Sequence, residues 1–248
     1  MKALIFNSGA GRRMGGLTAE RPKCLLPLSD GETVLSRQLR ILSENGISEA
    51  VITTGGASEM IYAEAIGSGM KITAVMNEKY AETNYIYSMY LAEGFIADND
   101  ILMLHGDLVF DGRIVSKLMD ITGSACITDR SAPLPEKDFK GRIRDGRLCE
   151  VSVSIFGSDC FALQPMYRLE RSAAMAWSGK VREFVNAGKT DVYAENALNG
   201  IAEELDIKEV SYSGIFVSEI DTADDYKNVL NGELFYDRTN SIDRTKRI

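Results

Sequence analysis

The chain opens on an apolar run, Ala3-Leu4-Ile5-Phe6, that empties at once into Asn7-Ser8-Gly9-Ala10-Gly11-Arg12-Arg13-Met14. A short apolar run bounded by glycines reads as a buried strand. Glycines beyond its end let backbone N–H groups turn toward a bulky ligand. Two arginines on the loop, and Lys23 after Pro22, supply the positive charge that a polyphosphate needs. The stretch therefore reads as a triphosphate cradle. The competing readings are a plain turn with solvated arginines and a dinucleotide-binding fingerprint. The fingerprint requires a third glycine where Met14 stands, and an acid after the second strand, where Ala50-Val51-Ile52 runs into Thr53-Thr54-Gly55-Gly56. No Gly-Lys-Ser/Thr triplet follows the loop, so the Walker pattern is excluded as well.

With 248 residues, 45% of them hydrophobic, the chain can bury the core of one large α/β domain. A single domain is expected over 1–231, with a charged tail over 232–248 that is either a plain tail or an arm pairing two copies as a homodimer. A formal charge of −8 argues against nucleic acid or an anionic membrane as partner, so phosphate must be caught by locally concentrated positive charge. Cys24, Cys126, Cys149 and Cys160 form no Cys-x-x-Cys pair and have no zinc-ligand spacing, which fits a reducing compartment. The first apolar run is shorter than the roughly 7–15 residues of a signal h-region. No stretch approaches the ~20 apolar residues of a membrane span. A cytoplasmic protein without membrane insertion is expected.

Periodicity predicts a helix within 32–45 stopped by Gly46, a strand over 49–54, a helix from Ser58 and a strand over 71–76. A loop over 77–84 then leads into a helix through Ile86, Met89, Tyr90 and Leu91, and a strand over 101–104 ends in His105-Gly106-Asp107. Alternating strands and helices imply a mostly parallel sheet with helices on both faces. Further on, strands are expected over 124–128, 161–163, 207–212 and 215–220, with a hairpin over 142–151 turning at Asp145-Gly146. Helices are expected around 168–177, 195–205 and 221–230.

Asp107 falls just beyond an apolar strand, the address at which open parallel sheets bind ligands. A carboxylate there suits magnesium, which takes one or two carboxylates and completes its shell with substrate phosphates. Asp221 ends another strand and is the second candidate metal ligand. The alternative for both is a helix N-cap. His105, the only histidine, reads as a packed or supporting residue, so metal-assisted phosphate chemistry is favoured over nucleophilic hydrolysis. Tyr80, Tyr85, Tyr87 and Tyr90 cluster around the second loop, and Asn84 and Ser88 share one helix face, placed to read a base or ribose. At least half of the tyrosines are expected in the core.

Gly9-x-Gly11-x-Arg13, Pro22-Lys23, Gly106-Asp107 and Glu219-Ile220-Asp221 together resemble the nucleotidyltransferases that activate sugar phosphates and related phosphates. Asn77-Glu78-Lys79-Tyr80, Asn84-Tyr85-Ile86-Tyr87-Ser88 and Glu219 through Tyr226 resemble the bacterial CTP:phosphocholine cytidylyltransferase branch and its relatives acting on phosphonates such as 2-aminoethylphosphonate. The resemblance implies a Rossmann-like three-layer α/β/α fold with a mostly parallel mixed sheet. By the motif match, Asn7, Ser8, Gly9, Ala10, Gly11, Arg12, Arg13, Lys23, Asn84, Ser88 and Asp107 would bind the nucleotide. Lys23 and Arg13 would be catalytic, and Asp107 and Asp221 would hold Mg2+. The family loop usually reads Leu-Ala-Ala-Gly, so Asn7 and Ser8 add polar side chains beside the base. The branch partly relies on tryptophan to hold choline, whereas Trp177 here lies in an ordinary helical stretch.

The activity implied is transfer of a nucleotidyl group from CTP, or another nucleoside triphosphate, to a small phosphate or phosphonate acceptor. An amine on that acceptor needs an aromatic face or a carboxylate; Tyr85, Tyr193 and Glu195 are the candidates. For Glu195 the alternative is a helix N-terminal acid favoured by the dipole. The rival activities are sugar-1-phosphate nucleotidyl transfer, nucleotide sensing without catalysis, and dehydrogenation.

Overall fold

Alternation along the first strand decides the layering. The computed structural model describes residues 1–9 and 11–232, Arg12 by its backbone alone; Ala10 and the expected tail from 233 onward lie outside the described residues. In β1 (Lys2–Asn7), Leu4 and Phe6 enter one core while Ala3 and Ile5 enter another, because successive side chains of a strand leave opposite faces. β2 (Glu49–Thr54) and β4 (Ile101–His105) repeat the split, with Val51, Ile101 and Met103 on the first side and Ala50, Ile52, Leu102 and Leu104 on the second. Strands apolar on both faces must be covered on both faces. Leu35 and Leu39 of α1 (Val34–Glu44), Ile61 of α2 (Ser58–Ile66) and Ile114 and Leu118 of α4 (Gly112–Asp120) cover the second side. Ile86 and Met89 of α3 (Tyr85–Ile96), Trp177 and Val181 of α5 (Arg171–Asn186) and Leu198 of α6 (Ala194–Leu198) cover the first. The result is the expected three-layer α/β/α arrangement.

The sheet runs β3 (Lys71–Met76), β2, β1, β4, β9 (Cys160–Leu169), β6 (Ala125–Asp129), β10 (Lys208–Ser211), β8 (Arg147–Ser152), β7 (Lys140–Arg144). It is mixed: β3, β2, β1 and β4 pair in parallel, as do β6 and β10. Within this sheet β9 and β8 alone run against the rest. β5 (Leu108–Phe110) and β11 (Val217–Glu219) form a separate antiparallel ribbon. No helix among the described residues is long and apolar enough to cross a membrane.

The fold departs from expectation in two places. β9 is ten residues long, whereas only its start was expected and its end was read as helix. A proline within a run ordinarily marks an edge strand or a bulge, and Pro165 lies inside β9. The ladder with β6 slips there, since Cys126 faces Tyr167 and Ile127 faces Gln164, so Pro165 sits in a bulge where its missing N–H costs nothing. The second departure is β5 with α4, which follow Asp107 directly and were not anticipated.

Trp177 is wholly buried, its Nε1 donating to the Ala194 carbonyl at 2.9 Å and its ring meeting Tyr167 edge-on at 5.3 Å. Trp177→Phe leaves that carbonyl unpaired and opens a void, so urea denaturation should show a loss of about 2–3 kcal/mol.

Candidate active site

The C-terminal ends of β1 and β4, with the loop that follows β3, open into a cavity of about 430 Å³. The glycine loop forms one side of it. Gly11 takes φ +61°, a left-handed conformation that glycine adopts without strain, and the Thr18 hydroxyl donates to its carbonyl at 3.0 Å. Met14 packs with Leu26, Val109 and Ile220 in a small third core, tying the loop to the segment before Asp221. Cys24 and Leu25 are buried in a single 3-10 turn after Pro22, and Lys23 at its head reaches the cavity. The Lys23 Nζ lies 2.9 Å from Asp107 Oδ2 and 2.6 Å from Asp221 Oδ1, and Arg13 Nη2 lies 2.9 Å from the same Asp221 oxygen. Burial opposes the Lys23 charge, but the two carboxylates outweigh it and raise the pKa above the ordinary lysine value. Gly9 and Gly11 line the cavity; Ala10 and the Arg12 side chain lie outside the described residues.

Neither aspartate caps a helix. Asp107 is followed by β5, and Asp111 caps α4 instead, accepting from Arg113 N at 2.9 Å. At the helical segment 223–232 the box is made by Thr222 and Asp225, whose Oδ2 accepts from Thr222 N at 2.7 Å while Thr222 Oγ1 accepts from Asp225 N at 3.2 Å. Gly106 brings Asp107 close in: a Cβ there would fall 1.6 Å from Asn7 Oδ1. A third carboxylate, Glu219, joins them, with Oε1 3.2 Å from His105 Nδ1. Burial raises the Glu219 pKa, His105 opposes the rise, and Asp107 and Asp221 add to it. His105, Asp107 and Glu219 place one ligand atom each within 4.8 Å of one another, while Asp221 is held beside them by Lys23 and Arg13. An oxygen-rich set whose members repel one another fits a hard divalent cation.

The two ends of the cavity differ in chemistry. Under the loop, Ser88 donates to Ser8 at 2.9 Å and Ser8 donates to Thr53 at 3.0 Å. Asn84 caps α3, its Oδ1 accepting from Tyr85 N at 2.8 Å, and also lines the cavity. At the other end Tyr85 meets His105 at 4.6 Å and Tyr193 at 6.2 Å between ring centroids, and Tyr193 meets Phe139 at 5.0 Å. Tyr87 and Tyr90 pack on each other instead. Glu195 is the correction: it does not line the cavity. α6 turns its side chain into the core, 1% exposed, where Tyr167 donates to Oε1 at 3.1 Å. Sequence reasoning missed Glu219, His105 as a cavity residue, and Phe139. The Glu-x-Asp spacing of Glu219 and Asp221 carried a signal, since alternate residues of a strand share a side; Phe139 carried none.

Residues 3–136 match the model of the MobA-like NTP transferase domain. The chain belongs to that family. This removes the dehydrogenase alternative. A CMP-5'-(3-aminopropyl)phosphonate synthase from Streptomyces rubellomurinus is 34% identical over 48% of this chain, which spans only 19% of that protein's length. The choline-phosphate cytidylyltransferase of Streptococcus pneumoniae is 23% identical over 92% of this chain and 96% of its own. The solved structure of CTP:phosphocholine cytidylyltransferase from the same species shares the fold, with a TM-score of 0.75 at 22% identity over 93% of this chain and 97% of that one. Cytidylyltransferases are thus among the relatives of this nucleotidyltransferase chain.

Burial pushes the Glu195 carboxyl up to about 8. In the unfolded chain the same group ionises in the ordinary range near 4.3. Folding stability therefore falls as pH rises between those values and levels off above the folded one. Glu195→Gln removes that slope: from pH 5 to pH 8 its unfolding free energy, read by urea denaturation, should fall by at least about 1 kcal/mol less than that of the natural chain.

Proposed function

We propose that the protein transfers CMP from CTP to a small phosphorylated or phosphonate amine, with magnesium, and releases pyrophosphate. The observation that carries this is the Lys23 ammonium held between Asp107 and Asp221 at the glycine loop, within one cavity whose far wall is aromatic. The relatives named for CMP transfer to choline phosphate and to an aminophosphonate support the choice of nucleotide and acceptor class.

The acceptor oxygen forms a bond to the α-phosphorus of CTP, and the bond from that phosphorus to the bridging oxygen breaks, its electron pair leaving on pyrophosphate. The acceptor is already an anion, so no general base is required. The obstacle is repulsion: two like unit charges at ~4 Å cost about 4 kcal/mol at an effective dielectric of 20. Lys23 and Arg13 offset that repulsion and stabilise the departing charge. Asp107, Glu219 and Asp221 are the oxygen donors that would hold magnesium, which when bound neutralises their charge and polarises phosphoryl oxygens. Tyr85, Phe139 and Tyr193 line the wall at which an ammonium, primary or quaternary, would find aromatic rings, a contact effective within about 6 Å of a centroid. A sugar phosphate brings no cation to that wall.

Pyrophosphate release, screened with four nucleoside triphosphates against phosphocholine, 2-aminoethylphosphonate and sugar phosphates, tests the proposal. Turnover is expected with CTP and an amine-bearing acceptor. Nucleotide binding without release from any acceptor would instead mark a sensing protein. Asp107→Asn and Lys23→Ala should each lower kcat/KM by about 100-fold or more with an unchanged circular dichroism spectrum; full activity in either removes that residue from the chemistry.

A further inference from the structure

The bend that carries Asp107 is held by one buried amide reaching in from α1. Gln38 is 1% exposed and shares its helix face with the fully buried Leu35, Leu39 and Leu42. Its Nε2 donates to the His105 carbonyl at 3.0 Å and to the Leu108 carbonyl at 2.7 Å. Both partners are acceptors, so the amide can be turned only one way. The two carbonyls flank Gly106-Asp107, where the chain leaves β4 and enters β5. Leu108 is in turn the register partner of Glu219 across the β5–β11 ribbon. One nitrogen therefore grips the backbone on both sides of Asp107, at His105 and at the strand paired with Glu219. Those are the three residues whose ligand atoms converge within 4.8 Å.

As packing alone, the amide is a poor choice. Gln38 Oε1 is buried and has no hydrogen-bond partner among the described residues, which destabilises a fold. A leucine or methionine would continue the apolar face without that penalty. We infer that Gln38 is a positioning residue: by clamping the 105–108 bend at both ends it fixes the direction of the Asp107 carboxylate and so sets the affinity of the site for a divalent cation. The inference rests on the reading of these carboxylates as cation ligands and deepens it. The bend cannot stiffen itself, since a Cβ at Gly106 would strike Asn7 Oδ1. Asp107 Oδ2 must nevertheless stay where it meets Lys23 Nζ, at 2.9 Å. α1 is a firm base for the clamp, its N-terminus closed by the Thr33–Ser36 capping box.

The test is binding of Mn2+ alone, without nucleotide, read from the free-ion signal in electron paramagnetic resonance. The natural chain is expected to bind Mn2+. Gln38→Met keeps the length and removes both donors; with an unchanged circular dichroism spectrum it should bind Mn2+ about tenfold more weakly or worse. Gln38→Asn keeps the amide one methylene shorter, too short to grip both carbonyls, and should also weaken binding; it decides the matter if the methionine variant does not fold. Leu39→Val trims the same helix without touching the bend, so it should lower the unfolding midpoint and leave the Mn2+ affinity at the natural value. Natural affinity in the folded Gln38 variants overturns the inference while the cation reading stands. Equal weakening in Leu39→Val reduces the effect to a loosened helix and overturns it too. No Mn2+ binding to the natural chain overturns the cation reading and the inference together.

Discussion

The Lys23 ammonium shared by Asp107 and Asp221 joins residues 84 and 198 positions apart and draws the glycine loop, the end of β4 and the segment after β11 onto one point. Without a cation there, Asp107, Glu219 and Asp221 would repel one another in a half-buried setting; burial first, and then Asp107 and Asp221, raise the Glu219 pKa. The flanking structure supports the junction. Met14 and Ile220 share one small core, and the Thr222–Asp225 box leaves the Asp221 side chain free of capping duty.

From that junction the cavity divides by parentage. Its polar end is built by β1, the loop that follows β3 and the start of α3, where amide and hydroxyl groups hydrogen-bond to one another. Its aromatic end is built by Tyr85, by Phe139 just before β7, and by Tyr193 at the head of α6. One end is suited to reading hydrogen bonds and the other to holding an apolar or cationic group, with the charged junction between them.

Much of this was legible in the residues. β2 occupies the span its apolar run predicts, because a strand buried on both faces announces itself as a short continuous run; β3, an edge strand with only Val75 buried, also fills its expected span. Lys23, Arg13 and Asp107 were legible because a loop after a strand, or a strand's last residue, is an address as well as a residue type. The length of β9 was not legible, since it runs through Pro165, whose place in a strand depends on a bulge supplied by a partner strand. Glu195 misled for a related reason: its neighbours Tyr193 and Asn196 do not reveal that α6 turns it onto Tyr167.

The α/β layering follows from local periodicity alone, and the glycine placement and charge of the opening loop are legible in the residues themselves. Folding brings Glu219 and His105 to Asp107, sets Phe139 and Tyr193 beside Tyr85 as a wall, and ties the Ser8 hydroxyl to Ser88 and Thr53. Each of these depends on groups brought together from distant segments. A hydroxyl can donate or accept, and the sequence names it without giving its direction; in Ser8 that direction follows from Ser88 and Thr53, which only the fold sets against it.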